Sequence, residues 1–387
     1  MTEPFPSPPK RASIADVLES AAASAGLEGA ENRLGIARRR RVVVALVDGM
    51  GLSSLSAHAA HTPFLRSQAD RRRPLASTFP STTATALTSF GTGLRPGQHG
   101  ITGYEMLAPE HPDGPRVVNQ LGAWDARLDP REWQPHPSVF MRCDDDGLAA
   151  VTVSQDRFEG SGLTRAALGG GVFVAAKTSD ERVAAAVKAL REMKRGVVYV
   201  YWNEVDKAGH AHGVASDEYV AALEDVDFAL KRLVAQAPED TLVLVTADHG
   251  MIDVPAERRW DYSEHAALTR AFEFTAGEPR MVQLYWRAEV TEAEKAEALA
   301  AWAEYVGSLA WVVTRDEAIE AGWFGEVSPR VRPRIGDVLV AARAPLALYD
   351  GRRASAHAFE MVGQHGSVTG EEMGIPLFEI PAGGPRR

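Results

Sequence analysis

The sequence predicts an α/β fold, with a mostly parallel central sheet, helices on both faces and an inserted smaller α+β cap. Three observations predict it. Short continuous apolar runs alternate with helical patterns between residues 42 and 246. Several of those runs lead into Asp beside Gly or His. The pattern then changes over 256–359, before Gly363-Gln364-His365-Gly366 returns.

Residues 1–12 are proline-rich and read as a disordered lead-in, and Ile14–Ala23 as a short helix. Val42–Val47 is apolar at every position and ends at Asp48-Gly49. That is how a strand buried on both faces of a parallel sheet reads. Ala150–Val153, Val172–Ala175, Val197–Trp202 and Leu242–Thr246 are expected to be further strands, with helices at Asp180–Met193 and Ser216–Ala235. Alternation of this kind implies βαβ units. Beyond Met251, Arg280–Trp286 reads as a strand, Thr291–Val306 as a helix, and Trp311–Val313 and Asp337–Ala341 as strands. The catalytic core is therefore expected at 13–255 and 360–387, and the cap at 256–359. Trp302, Trp311, Trp323, Phe324 and Tyr349 of the cap can stack a planar ligand or fill a small core, and core packing is the expectation.

The 387 residues are 45% hydrophobic and 24% charged, which suits a globular protein with a large core. A formal net charge of −10 argues against binding duplex nucleic acid, while leaving room for a locally positive pocket. The arginine runs Arg38–Arg41 and Arg71–Arg73 each precede an apolar segment and read as solvated element ends. Cys143 is the one cysteine, so no intrachain disulfide forms. The chain shows neither a signal-like apolar start nor a membrane-length apolar run, so a cytoplasmic protein without a membrane partner is expected. No feature sets an oligomeric state.

In open α/β sheets ligands bind beyond the carboxyl ends of the strands. Asp48, Asp206 and Asp248-His249 all follow expected strands. Any one of them taken alone reads better as a helix cap or a turn. Together they bring several acids to one edge, which is costly unless cations neutralise them. Imidazole with carboxylate favours Zn²⁺ or Mn²⁺ over Mg²⁺. Asp206 and His210, four apart around Gly209, aim at one point from a helical turn or a folded loop. The nearby His212 reads as structural. Residues 79–94 open with Phe-Pro-Ser-Thr-Thr and run into an apolar helical pattern. A hydroxyl there sits where backbone N–H groups and the helix dipole stabilise an alkoxide and an incoming phosphate. Ser81 or Thr82 reads as the helix cap.

These segments resemble the alkaline phosphatase superfamily, and within it the type I phosphodiesterase/nucleotide pyrophosphatase family. Phe79-Pro80-Ser81-Thr82-Thr83 leads to Thr92-Gly93-Leu94-Arg95-Pro96-Gly97-Gln98-His99-Gly100, similar to that family's nucleophile segment. Ungapped spacing between the two halves places the nucleophile at Thr83, not Thr82 or Thr85. The resemblance implies that Asp206, His210 and His365 bind one divalent ion. It implies that Asp48, Asp248, His249 and the Thr83 oxygen bind the other. It covers roughly 40–105, 195–255 and 360–378. One position departs. Where family diesterases place a phosphate-binding asparagine, this chain has Tyr104, whose phenol can donate one hydrogen bond. The Cys/Ser-x-Pro-x-Arg signature of sulfatases is absent.

The mechanism so implied is attack by Thr83 on a small phosphate ester or nucleotide, a phosphothreonine, and its hydrolysis. Two divalent ions about 4 Å apart balance three aspartates and a Thr83 alkoxide, leaving a near-neutral cluster for an anionic phosphate. Within the superfamily the alternatives are a phosphomonoesterase, a phosphonate hydrolase or a phosphoglycerate-mutase-like phosphotransferase. The alternative of another class is a non-catalytic binding protein. None of the seven expected ligand positions is missing, which counts against it.

Overall fold

The computed structural model describes residues 4–122 and 124–383. Its centre is a seven-stranded sheet formed by β1 (Arg41–Val47), β2 (Arg72–Ala76), β3 (Ala149–Ser154), β4 (Val172–Ala175), β5 (Gly196–Trp202), β6 (Thr241–Thr246) and a late strand, Gly374–Pro381. β1 lies between β5 and β6, parallel to both, and β3 continues the parallel run from β5 to β4. The late strand lies between β6 and β2 and is antiparallel to each.

β5 and β6 are buried at every position and β1 at all but Arg41, because helices cover both faces. The helices form two groups. Ala15–Ala25 packs with Thr83–Thr92, and Ser179–Glu192 packs with Asp217–Gln236. Both groups contact the sheet. Capping chemistry sets several starts: Thr178 and Glu181 form a capping box, as do Thr291 and Glu294. Cys143 is buried, and burial pushes its thiol up to about 12.

Between 256 and 359 the chain builds a separate antiparallel sheet. Its strands are β7 (Phe272–Glu278), β8 (Met281–Trp286), β9 (Ala310–Thr314) and β10 (Val338–Ala342), ordered β7-β8-β10-β9, so that the late strand Gly374–Pro381 becomes β11. The short strands Ile252–Asp253 and Gly363–Gln364 pair where the chain leaves and re-enters the core. Trp302 is fully buried in the cap's own core and donates to Leu268 O (3.0 Å). Trp323 and Phe324 pack against Phe79, at the cap–core seam. Trp311 meets Phe5, and Tyr349 lines a cavity described below.

The lead-in behaves differently from the expectation of disorder. Residues 4–12 are described, and Phe5 packs among Phe79, Trp311 and Trp323, while Trp323 Nε1 donates to Pro6 O (2.6 Å). An aromatic side chain among prolines supplied an anchor that composition alone hides. Residues 1–3 of that lead-in lie outside the described residues. Among the described residues no helix is long and apolar enough to cross a membrane.

Candidate active site

Three strand ends and two loops converge at one edge of the sheet. Asp48 follows β1, Asp248 and His249 follow β6, and Asp206 and His210 lie on the helix Glu204–His212 that follows β5. His365 comes from the loop before β11, just after Gly363–Gln364. Gly49 turns the chain after Asp48 with φ +73°, and a Cβ there would sit 2.9 Å from Asp206 Cα. The glycine therefore lets two aspartates approach.

Thr83 is the first residue of the helix Thr83–Thr92, with Thr82 at the cap position. Neither expected cap uses its side chain as a cap. Thr82 makes no side-chain cap bond, and Ser81 Oγ donates instead to Ser367 O (2.6 Å). Ser81 is drawn away because its partner is the loop carrying His365, whose Gly366 N–H donates back to Ser81 Oγ (3.2 Å). Thr85 is fully buried two residues further into the helix, away from these contacts.

The Thr83 hydroxyl lies 3.1 Å from His249 Nε2. The same nitrogen is 3.3 Å from Asp48 Oδ1 and 3.4 Å from Asp248 Oδ2. Nearby, Asp206 Oδ1 is 3.4 Å from His210 Nε2 and 3.8 Å from His365 Nε2. The two imidazoles approach to 3.2 Å, Nε2 to Nε2. Asp206, His210 and His365 form one group with cation-ligand spacing, and Asp48, Asp206 and His249 form another. Asp206 thus belongs to both. The structure brings together Asp48, Thr83, Asp206, His210, Asp248, His249 and His365. His212 stays apart, half-exposed and 4.0 Å from Glu218.

The second nitrogens fix the tautomers. His210 Nδ1 contacts Gly363 O (2.8 Å), His365 Nδ1 contacts Ser81 O (2.8 Å) and His249 Nδ1 contacts Gly250 O (3.1 Å). A carbonyl only accepts, so each Nδ1 carries the proton and each Nε2 presents a lone pair. Those lone pairs face carboxylates and one another. Asp48 Oδ1, Asp206 Oδ1 and Asp248 Oδ2 are buried without a hydrogen-bond partner. Burial and then the facing Asp206 and Asp248 push Asp48 well above the ordinary carboxylate range. Burial raises Asp248 as well, and burial with the neighbouring His249 and His210 drives His365 well below the usual range. Lone pairs and orphaned carboxylate oxygens converging in this way fit divalent cations, and the mixed N and O donors suit Zn²⁺ or Mn²⁺.

Sequence reading missed two neighbours. Tyr201 donates its hydroxyl to Asp48 Oδ2, and Asn203 lines the same cavity as Thr83. Tyr201 sits in a run that reads as wholly apolar, so only its register beside Leu46 of β1 could have placed it. Burial beside Asp48 keeps that phenol protonated. The cavity holds about 600 Å³ and is lined by Asp48, Thr83 and Asp206 at the reacting edge. Tyr104 is not among its lining residues. It lines a second cavity of about 330 Å³ with Glu278, Tyr349 and Asp350. Its N–H donates to Glu278 Oε2 (2.9 Å) and its carbonyl accepts from Gln120 N–H (2.9 Å), which ties the backbone to the cap side.

Residues 42–368 match the family described as type I phosphodiesterase / nucleotide pyrophosphatase. The chain belongs to that family. This membership places it in the alkaline phosphatase superfamily as a phosphoryl-transfer enzyme. Its fold is similar to murine ectonucleotide pyrophosphatase / phosphodiesterase 5, with TM-score 0.68 and 16% identity over 87% of each chain. That murine protein has also been solved as an inactive variant in complex with AMP. Phosphonoacetate hydrolase from Sinorhizobium meliloti 1021 has a TM-score of 0.62 at 20% identity, covering 88% of this chain and 90% of that one. Phosphopentomutase from Clostridioides difficile (strain 630) is 29% identical over 129 residues. That match spans 33% of this family member and 30% of the mutase's own length.

Proposed function

We propose that this family member is a two-metal phosphoric ester hydrolase, acting on phosphodiesters or nucleotide pyrophosphates through a phosphothreonine at Thr83. One observation carries the reading. The Thr83 hydroxyl stands at a helix N-terminus, 3.1 Å from an imidazole Nε2 that also faces two buried aspartates with orphaned oxygens. Asp206, His210 and His365 would hold one ion, and Asp48, Asp248, His249 and Thr83 Oγ1 the other. Bound there, divalent ions supply charge neutralisation and lower the pKa of a coordinated hydroxyl or water.

The chain's own groups do the rest. Thr83 Oγ1 attacks phosphorus in line. The new Oγ–P bond forms as the ester P–O bond breaks, and the proton lost from Oγ1 passes through water to the departing alkoxide or phosphate. The N-terminal amides of the helix face the phosphate oxygens, and the Asn203 side chain offers an amide donor in the role first expected of Tyr104. Water then attacks phosphorus, the Oγ–P bond breaks, and Thr83 regains its proton.

The test is a Thr83→Ala variant assayed with bis(4-nitrophenyl) phosphate after loading with Zn²⁺ or Mn²⁺. Turnover should fall by about 10⁴-fold while bound metal stays near the wild-type content. Full activity in the variant would sink the nucleophile assignment. A 4-nitrophenyl monoester hydrolysed faster than the diester would favour the monoesterase reading. The similarity to phosphopentomutases supports a second reading, in which the phosphoryl group returns to an acceptor alcohol rather than to water. Label from ¹⁸O-water in the product phosphate separates the two.

A further inference from the structure

The second cavity lies between the cap and the core segment at Tyr104 and Glu105, and none of the seven residues gathered around Thr83 lines it. Three acids do: Glu105, Glu278 and Asp350. Two of them are already matched. Arg353 donates to Glu105 Oε2 (2.7 Å). Arg352 donates to both Asp350 oxygens (2.7 and 2.6 Å), and Thr275 Oγ1 donates to Asp350 Oδ2. Glu278 is different. It ends β7 and is only 7% exposed. Its Oε2 accepts from Tyr104 N–H (2.9 Å), but its Oε1 is buried without a hydrogen-bond partner. Burial, reinforced by Glu372 and Glu105, pushes this carboxyl well above the ordinary range, a state that an adjacent cation reverses.

A buried carboxyl oxygen left unmatched costs free energy that a donor would offset. Chemistry narrows what that donor can be. A divalent ion needs several ligands, yet among the described residues no three acids here share cation-ligand spacing, and no imidazole lines the cavity. An anion meets only Arg353, whose donors go to Glu105 and to Thr275 O. An ammonium needs one carboxylate and gains from ring faces. Tyr104, Tyr262 and Tyr349 line the same space. We propose that this cavity binds a small primary amine, held as its ammonium with Glu278 Oε1 as acceptor. Its N–H donors set a primary ammonium apart from a quaternary one, which can use the rings alone. A volume of about 330 Å³, at the small end of ligand cavities, restricts the amine to a short aliphatic or single-ring body. Binding here is independent of the ester-hydrolase reading, and it is measured without turnover.

The experiment is titration calorimetry of butylammonium chloride into the full chain in the presence of Zn²⁺, with tetramethylammonium, butan-1-ol and butyrate as comparisons. Butylammonium should bind at one site and tetramethylammonium at least about tenfold more weakly, with the alcohol and the carboxylate weaker still. Glu278→Gln keeps an acceptor for Tyr104 N–H and removes the charge, so it should weaken butylammonium at least about tenfold. Tyr104→Ala leaves the backbone bonds in place and removes one ring, so it should weaken butylammonium about threefold. No butylammonium binding, or binding unchanged in Glu278→Gln, would overturn the assignment. So would an alcohol, a carboxylate or a quaternary ammonium that binds as tightly as butylammonium. Should Glu278→Gln fail to fold by circular dichroism, Tyr104→Ala decides: weakened binding keeps the site, and unchanged binding removes it.

Discussion

At the scale of single residues, the site is a set of lone pairs held in place by backbone carbonyls. Tyr201 is the side chain that steadies Asp48, donating to one carboxylate oxygen while the other stays without a partner. Outer hydrogen bonds of this type typically change metal affinity by roughly 10–100-fold. Tyr201→Phe should therefore weaken binding of one ion by about that factor, measured by chelator competition, with the fold intact by circular dichroism. Unchanged affinity would show that Asp48 needs no such support. The sequence puts these seven residues at strand ends and loop turns marked by glycines, and the fold brings them together at one edge of the sheet. Tyr104 lines the second cavity, with its N–H bonded to Glu278 Oε2, and does not line the cavity of Thr83. Tyr201 and Asn203 carried no readable signal, since their roles depend on which strands become neighbours.

Among the elements, a buried ion pair links residues 256–359 to the loops of the site. Arg280, preceding β8, donates to both oxygens of Glu372 (2.7 and 2.9 Å), and both side chains are fully buried. Arg280 also donates to Ala344 O and Leu346 O. Glu372 accepts from Ser367 N–H (2.9 Å), two residues after His365, and its own carbonyl accepts from Gly250 N–H (2.8 Å), next to His249. Removing one charge leaves the other uncompensated, so Arg280→Met should cost about 3–5 kcal/mol in denaturant unfolding. The double variant Arg280→Met, Glu372→Met should recover most of that loss. A double variant as unstable as the single one would mean that Arg280 acts through its carbonyl bonds instead. The sequence shows both residues but not their pairing, which joins positions far apart in the chain. Strands that read as apolar runs were found to within one or two residues. β2 and β11 escaped notice, because both carry prolines and β2 begins with arginines.

For the molecule as a whole, the buried acids make stability depend on pH and on metal together. Asp48 and Asp248 have folded-state pKa values raised above their unfolded ones. Without metal, the folded state holds those protons more tightly, so their contribution is fully present below about pH 4 and is lost as pH rises through the folded values. Cations reverse this, because they need the ionised forms. The gap in melting temperature between metal-loaded and EDTA-treated protein should therefore widen from acid to neutral pH. A gap that stays constant would contradict the electrostatic account. The fold class was legible at this scale because a doubly covered parallel sheet demands uninterrupted apolar strands. The anchoring of residues 4–12 was not legible, since it depends on one phenylalanine finding the cap–core seam.

The position of β11 also has a meaning in time. It fills the gap between β6 and β2, yet it is made long after either. At a synthesis rate of about 5–20 residues per second, the edge of β6 stays open for on the order of ten seconds. The loop bearing His365 emerges just before the strand that closes that edge, so sheet and reaction centre are finished together. Until then the growing chain carries an open apolar edge of the sort that invites pairing with its neighbours.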